Sequence, residues 1–401
     1  MRKAAVVFVF VTVVLDILAL GMIIPVLPRL VEDFVGGDPA SAAEVYGLFG
    51  TVWALMQFVF SPLLGALSDK LGRRPIILLS NFGLGLDYVL MALAPSIGWL
   101  FAGRVLSGIT AASISTANAY IADVTPVEQR AGAFGLLGAA FGLGFVLGPA
   151  AGGALGSVDP RLPFWVAAGL SLVNGCWGLF VLPESLAVAD RRPFSWARAN
   201  PVGALRMLAE RAGLLGLSAV GVLSGLAHEA LPSVFVLYAG YRFAWGPMQV
   251  GACLAAVGVC SALVQGGLVR LAARRFSNER MLVFGLVFGA AGFVIYGLAE
   301  AEWQFWLGVP LMALWGFAGP SLQGLMTQRV DAGEQGRLQG ATSSLRGVTG
   351  LLGPLLFTQV FALAIDAASG GGLPGAPFLL AGALMVASAA LAVSVTRAGS
   401  T

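Results

Sequence analysis

Six ionisable residues, Asp16, Asp87, Arg104, His228, Glu229 and Arg346, stand inside long apolar runs of this chain. A charged side chain at the centre of a membrane helix costs about 2.5–3.5 kcal/mol on insertion scales, so such residues mark function by default. Carboxylates held there can carry protons, and guanidinium groups can hold carboxylates or attract anions. Asp87 follows Pro75 by twelve residues, about 18 Å along a helix. That places it in the outer half of its run, where it can load a proton from one side and release it to the other. The plain alternative is an interhelical hydrogen bond. Asp16, near the middle of the first run, is expected either to carry a proton or to pair with Arg104. The roles compete, because a paired carboxylate is a poorer proton carrier. His228 is the only histidine, and a lone histidine in an apolar stretch is more often a hydrogen-bonded core residue than a ligand. Its neighbour Glu229 is the stronger candidate, for proton exchange or for a cationic substrate. Adjacent helix positions diverge by about 100°, so the two address different surroundings. Arg346 is placed to hold Glu229 or Asp87, or to attract an anion. Gln57, Asn118 and Gln323 add hydrogen-bonding capacity for a substrate. A wide pocket with a few such polar groups suits a large amphipathic ring system.

The scaffold for these residues is set by composition. The chain has 401 residues, 58% hydrophobic and 11% charged, with mean hydropathy +0.87. Soluble domains are about one quarter charged, so a soluble enzyme and a disordered chain are both excluded. Apolar runs separated by charged or Pro/Gly-rich breaks predict twelve membrane helices, at 4–28, 44–67, 75–95, 97–121, 131–154, 162–182, 212–239, 246–270, 279–299, 303–328, 338–364 and 376–396. Barrel strands would alternate and be about ten residues long; these runs do neither. Met1-Arg2-Lys3 before an apolar run imitates a signal peptide, but the run is too long and contains Asp16. Cys176, Cys253 and Cys260 offer neither a disulfide framework nor a metal cluster. There is no nucleotide loop, zinc motif or nucleophile signature. An enzyme is therefore not expected, and any work must draw on an ion gradient.

With both termini inside, 18 of the 23 Lys and Arg residues fall on the cytoplasmic side, as the positive-inside rule requires. Those charges orient the chain, and nucleic acid is not an expected partner. The longest polar stretch, 184–211, reads as a cytoplasmic linker between an N-terminal six-helix bundle, 1–183, and a C-terminal one, 212–401. Its second part, 201–211, reads equally as a surface amphipathic helix or a charged loop. Asp123-Val124, Glu128-Gln129 and Leu147-Gly148-Pro149 are answered by Arg329-Val330, Glu334-Gln335 and Leu352-Gly353-Pro354, at offsets of 206, 206 and 205. Parallel repeats of this kind suggest two halves that rock around a midplane site.

Gly65-Ala-Leu-Ser-Asp69-Lys70-Leu-Gly72-Arg73-Arg74-Pro75 lies between the second and third runs. It resembles the loop signature of the major facilitator superfamily. The resemblance implies a gating role for Asp69, Arg73 and Arg130. Leu15-Asp16, Gly21 and Pro25-Val26-Leu27-Pro28 look like the first-helix signature of drug/proton antiporters, and Gly103-Arg104 with Gly108 like their fourth-helix motif. Gly144, Gly148-Pro149 and Gly152, with Gly142 and Gly153, resemble the glycine-rich fifth-helix motif of antiporters, where small residues let helices approach closely. Ala54-Leu55-Met56-Gln57-Phe58, Leu86-Asp87-Tyr88, Pro183-Glu184-Ser185, Ser321-Leu322-Gln323-Gly324 and Gly353-Pro354-Leu355-Leu356-Phe357-Thr358 are similar to tetracycline/proton antiporters. The chain departs from that group in three places, one of them Arg346 in the eleventh run. The ninth run has no acidic residue, and His228-Glu229 stands where the better-known pumps carry Gln and Gly.

The resemblance implies an all-α membrane protein that exports a tetracycline-type drug in exchange for protons. Asp16, Asp87, His228 and Glu229 are the expected proton carriers. Gln57, Arg104, Asn118, Glu229, Gln323 and Arg346 are the expected substrate contacts. No bound cofactor is expected; protons couple transport, and a divalent cation would arrive chelated by the substrate. The expected setting is a bacterial inner membrane, with the chain acting as a monomer. An uptake symporter for a small metabolite is the alternative, since one fold serves both directions.

Overall fold

The computed structural model describes residues 2–111, 113–125, 130–191, 208, 212–330, 335–366 and 372–398, and among them every regular element is helical. Inside a bilayer the backbone must satisfy its own hydrogen bonds, and helices do so within each segment. Eleven helices among the described residues are long and apolar enough to cross a membrane. The expected fourth span, 97–121, is instead two shorter helices, α5 (Ile97–Thr110) and α6 (Ser113–Val124). The linker stretch 201–211 lies outside the described residues apart from Leu208.

The chain divides into two compact units. Unit 1 is Met1–Gly36, Val52–Asn200 and Gly246–Ala255; unit 2 is Gly37–Thr51, Pro201–Trp245 and Ala256–Thr401. Unit 1 holds α1 (Arg2–Ile23), α2 (Leu27–Phe34), most of α3 (Pro39–Leu71), α4 (Arg73–Leu93), α5, α6, α7 (Arg130–Gly156) and α8 (Leu162–Val181). The first run passes residue 28 as one apolar span, Phe8–Phe34, but its helix is interrupted. It turns after Ile23 and restarts at Leu27, with Pro28 in the first turn. Proline has no N–H to donate and is tolerated at a helix start. The glycine-rich face of α7 lies directly on α1. A Cβ on Gly144 would stand 2.7 Å from the Ile17 Cβ, and one on Gly148 would stand 2.7 Å from the Leu18 carbonyl oxygen. Phe8, Val13 and Ile17 of α1 join Ile77, Tyr120 and Leu137 in the buried core.

Unit 2 contains α9 (Ala212–His228), α10 (Ala230–Phe243), the second part of α11 (Pro247–Leu263), a π turn at Val264–Leu268, and α12 (Val269–Ala273). It continues with α13 (Asn278–Leu298), α14 (Glu302–Ala313), a 3-10 turn at Leu314–Phe317, α15 (Ala318–Thr327), α16 (Gln335–Ile365) and α17 (Ala376–Ala398). The expected seventh span is thus broken at Glu229. Pro232 is the cause: it removes the N–H that would bond the His228 carbonyl four residues back. Glu229 N bonds Leu226 O at 3.1 Å instead, a tighter turn. An aromatic knot fixes one end of the unit. The rings of Tyr296 and Phe305 stack at 4.1 Å, Tyr238 meets Phe378 edge-on at 5.0 Å, and the Tyr238 hydroxyl donates to Tyr296 O at 2.9 Å.

Candidate functional site

In unit 1 the polar groups converge where α4 crosses α5. Asp87 is fully buried on α4. Its carboxylate lies against Gly103 of α5, where a Cβ would stand 2.7 Å from Oδ1. Neither oxygen closes a hydrogen bond among the described residues; the Arg104 guanidinium and the Ser107 hydroxyl face it. Arg104 in turn sits over the Trp53 ring of α3, 5.4 Å from its centroid, a cation–π contact. Gly108, one turn on, lets α5 come close to Trp53 and Met56. The buried Tyr88 lies within electrostatic reach of Asp87, Asp16 and Arg104. Asp16, buried on α1, thus belongs to the same cluster. Arg104, expected to pair with Asp16, acts electrostatically on Asp87. A carboxylate beside a fixed cation and a hydroxyl can alternate between holding a proton and holding the cation.

In unit 2 the His228-Glu229 pair stands at the helix break, and its members diverge. His228 is exposed, with its ring 5.2 Å from that of Trp315. Arg346, exposed on α16, acts on it electrostatically. Glu229 is half-buried and lies on Gly353 of α16, where any side chain would collide with it. Each unit therefore seats an acid on a glycine of a neighbouring helix, Asp87 on Gly103 and Glu229 on Gly353. Gln57 and Gln323 are half-buried and Asn118 is exposed. The Gln323 Nε2 has no hydrogen bond among the described residues. Among the described residues no cluster of three or more His, Cys, Asp or Glu could hold a metal.

The loop motif forms a separate cluster in unit 1. Arg73 donates from Nε to Asp123 Oδ2 at 3.1 Å and from one terminal nitrogen to Ser68 Oγ at 2.7 Å and Asp69 Oδ1 at 2.5 Å. Its side chain is 11% exposed, whereas those of Asp69 and Asp123 are 41% and 21% exposed, so solvent screens the Asp69 pair the more. Gly72 turns with φ 110°, a conformation that favours glycine. Arg130 opens α7, and its side chain lies outside the described residues.

Sequence reasoning assigned no role to Glu184, yet its Oε1 accepts three backbone N–H groups, from Arg73 at 2.8 Å, Ser185 at 2.9 Å and Leu186 at 3.1 Å. It caps the start of α4. Glu184→Ala is expected to cost about 1–3 kcal/mol, because it orphans those donors. Glu184→Gln keeps an acceptor oxygen and is expected to lose less. Thermal unfolding of the two purified variants checks the order. A Glu184→Ala protein as stable as wild type would show that the cap contributes nothing. Trp53, Trp315 and Ser107 were also missed. Their only signal was position: Ser107 lies one turn after Arg104, whereas Trp53 and Trp315 look like ordinary apolar residues of their runs.

Residues 9–354 match the family described as Major Facilitator Superfamily. The chain is 38% identical to the tetracycline resistance protein, class C, of Escherichia coli over 88% of both chains. It is 36% identical to the class D protein of Salmonella ordonez over 92% of both. Among solved structures it is similar to the human organic anion transporter MFSD10, at 25% identity and TM-score 0.72, covering 98% of this chain and 99% of that one.

Proposed function

The chain belongs to the Major Facilitator Superfamily, and we propose that it exports a tetracycline-type drug in exchange for protons. It is a multi-pass membrane transporter and not an enzyme. In the proposed arrangement twelve spans form two six-helix halves, 1–183 and 212–401, joined by the linker 184–211, with both termini cytoplasmic. The location of 18 of 23 basic residues supports that orientation, and α5 followed by α6 covers the stretch of the fourth span. The bacterial inner membrane is the proposed location, and the working unit a monomer.

One observation carries the proton half of this reading: a carboxylate, Asp87, fully buried in a membrane helix and faced by Arg104. Such a group is costly to keep charged and is retained for use. The drug half is supported by the relatives named for tetracycline resistance. Asp87 loads a proton from outside, with Asp16, His228 and Glu229 as further carriers. Substrate and protons compete for the acids, so protonation from outside releases the drug and deprotonation inside restores affinity. Gln57, Arg104, Asn118, Glu229, Gln323 and Arg346 contact the drug, which carries its own divalent cation. Asp69, Arg73 and Arg130 gate the inner side. Each inward proton contributes about 2.3 kcal/mol per 100 mV and about 1.4 kcal/mol more per pH unit.

The test is proton flux from liposomes holding the purified protein, acidic inside, with tetracycline and magnesium added outside. Proton efflux that accelerates on adding the drug is the expected result. No acceleration by a correctly inserted protein would reject tetracycline. Acidification that follows addition of a metabolite in place of the drug would instead favour uptake symport.

A further inference from the structure

A groove of about 500 Å³ opens within unit 2, lined by Cys260, Leu263 and Leu268 on one side and Leu307, Pro310 and Leu311 on the other. Its cause is local. Val264–Leu268 is a π turn, and a Cβ on Gly266 or Gly267 would meet nothing within 4 Å. Opposite, Pro310 stands inside α14, and the helix tightens to a 3-10 turn at Leu314–Phe317. The two irregular turns face each other. Regular helices interlock their ridges and grooves; a widened turn against a proline-bearing one leaves space. π turns recur at functional sites.

The groove is apolar and exposed on unit 2. Leu263, Leu268 and Leu307 are 66%, 43% and 59% exposed. Only 11% of the apolar window in the span Pro247–Ala273 is buried by protein. Beyond the groove come Arg270, within α12 and about 3 Å on at helical rise, and Arg274 and Arg275 in the turn that ends it. All three are exposed, and none makes an ion pair among the described residues.

We propose that this groove seats an acyl chain of an anionic phospholipid from the surrounding bilayer, with its phosphate held by Arg270, Arg274 and Arg275. The occupant follows from the setting. An apolar groove on a membrane span is filled by whatever acyl chains surround it. Three unpaired guanidinium groups at one end select a headgroup with net negative charge, whereas a zwitterionic lipid leaves them uncompensated. Basic residues at that depth favour anionic lipid by about fivefold each at low salt, less as salt screens them. The site is independent of the cargo, so it stands or falls separately from the drug reading.

The test uses the full chain in phosphatidylcholine vesicles carrying a trace of phosphatidylglycerol or phosphatidylcholine with a photoreactive acyl chain. Cross-linked peptides are then mapped. The phosphatidylglycerol probe is expected to label 260–268 and 307–314 at least about fivefold more than the phosphatidylcholine probe at low salt. Arg270→Gln, Arg274→Gln and Arg275→Gln together are expected to erase that preference, whereas the three lysine substitutions keep it. Leu263→Trp, which fills the groove, is expected to reduce labelling by both probes. Equal labelling of the wild-type groove by both probes would overturn the proposal and leave the arginines a purely topological role. So would labelling no denser there than at lipid-facing Phe180 and Val386, and this comparison needs no variant to fold.

Discussion

Asp87→Asn is expected to abolish drug-driven proton movement while leaving a folded, inserted protein. Asparagine matches aspartate in shape but cannot carry a proton. The fold is expected to tolerate the swap, since asparagine keeps an oxygen that can accept from the Ser107 hydroxyl and Arg104 keeps its contact with Trp53. The expected loss is about 100-fold or more, in the range seen when a proton-transfer group is removed. Asp87→Glu is expected to fail as well, for a different reason. Gly103 already stands so close that a single added carbon would reach 2.7 Å from Oδ1 and from Met91 Cγ, leaving no room for a longer acid. Drug counterflow, an exchange without net proton movement, separates coupling from binding: it should persist in Asp87→Asn. Coupled flux above about a tenth of wild type would remove Asp87 from the proton path.

Gly152→Val should prevent the chain from accumulating in folded form. A Cβ there would stand 2.6 Å from the Met22 Cα and 2.7 Å from the Met22 carbonyl carbon. Both are backbone atoms, so α1 itself must move. Overpacking a core commonly costs 1–3 kcal/mol, and a backbone clash belongs at or above about 3 kcal/mol. Gly142→Val is the control, because a Cβ at that position meets nothing within 4 Å. Expression and melting of both variants in detergent decide it. The prediction fails if Gly152→Val melts within about 2 °C of wild type, or if Gly142→Val is equally damaged.

The contrast between these two glycines shows what was legible beforehand. The four-residue spacing of Gly144, Gly148 and Gly152 marked a packing face, and that face meets α1. The apolar runs were legible because hydropathy depends on composition alone. Interruptions inside them were not. A run averages over a break, so the turn after Ile23, the break at Glu229 and the π turn at Val264–Leu268 passed unseen. Pro232 was the available signal for the second, since its missing N–H points four residues back to His228. The acids themselves stood out by cost, but the surfaces they rest on did not. Gly103 lies sixteen residues from Asp87, and Gly353 lies 124 residues from Glu229. Glu184 shows the same limit: its bond to Arg73 spans 111 positions, and a local reading sees only an acid at the end of a helix.

The bare contact between α1 and α7 also has a mechanical meaning. Side chains behave as springs, and rotamer changes let neighbouring helices slip past each other. Here Gly144 meets the flank of the Ile17 side chain, and Gly148 meets the Leu18 carbonyl. So close a fit leaves little slack for α1 and α7 to shift independently. Asp16 precedes Ile17 by one residue. Its depth in the bilayer is therefore geared to α7: a stiff coupling turns an ångström of helix travel into an ångström of displacement of the acid.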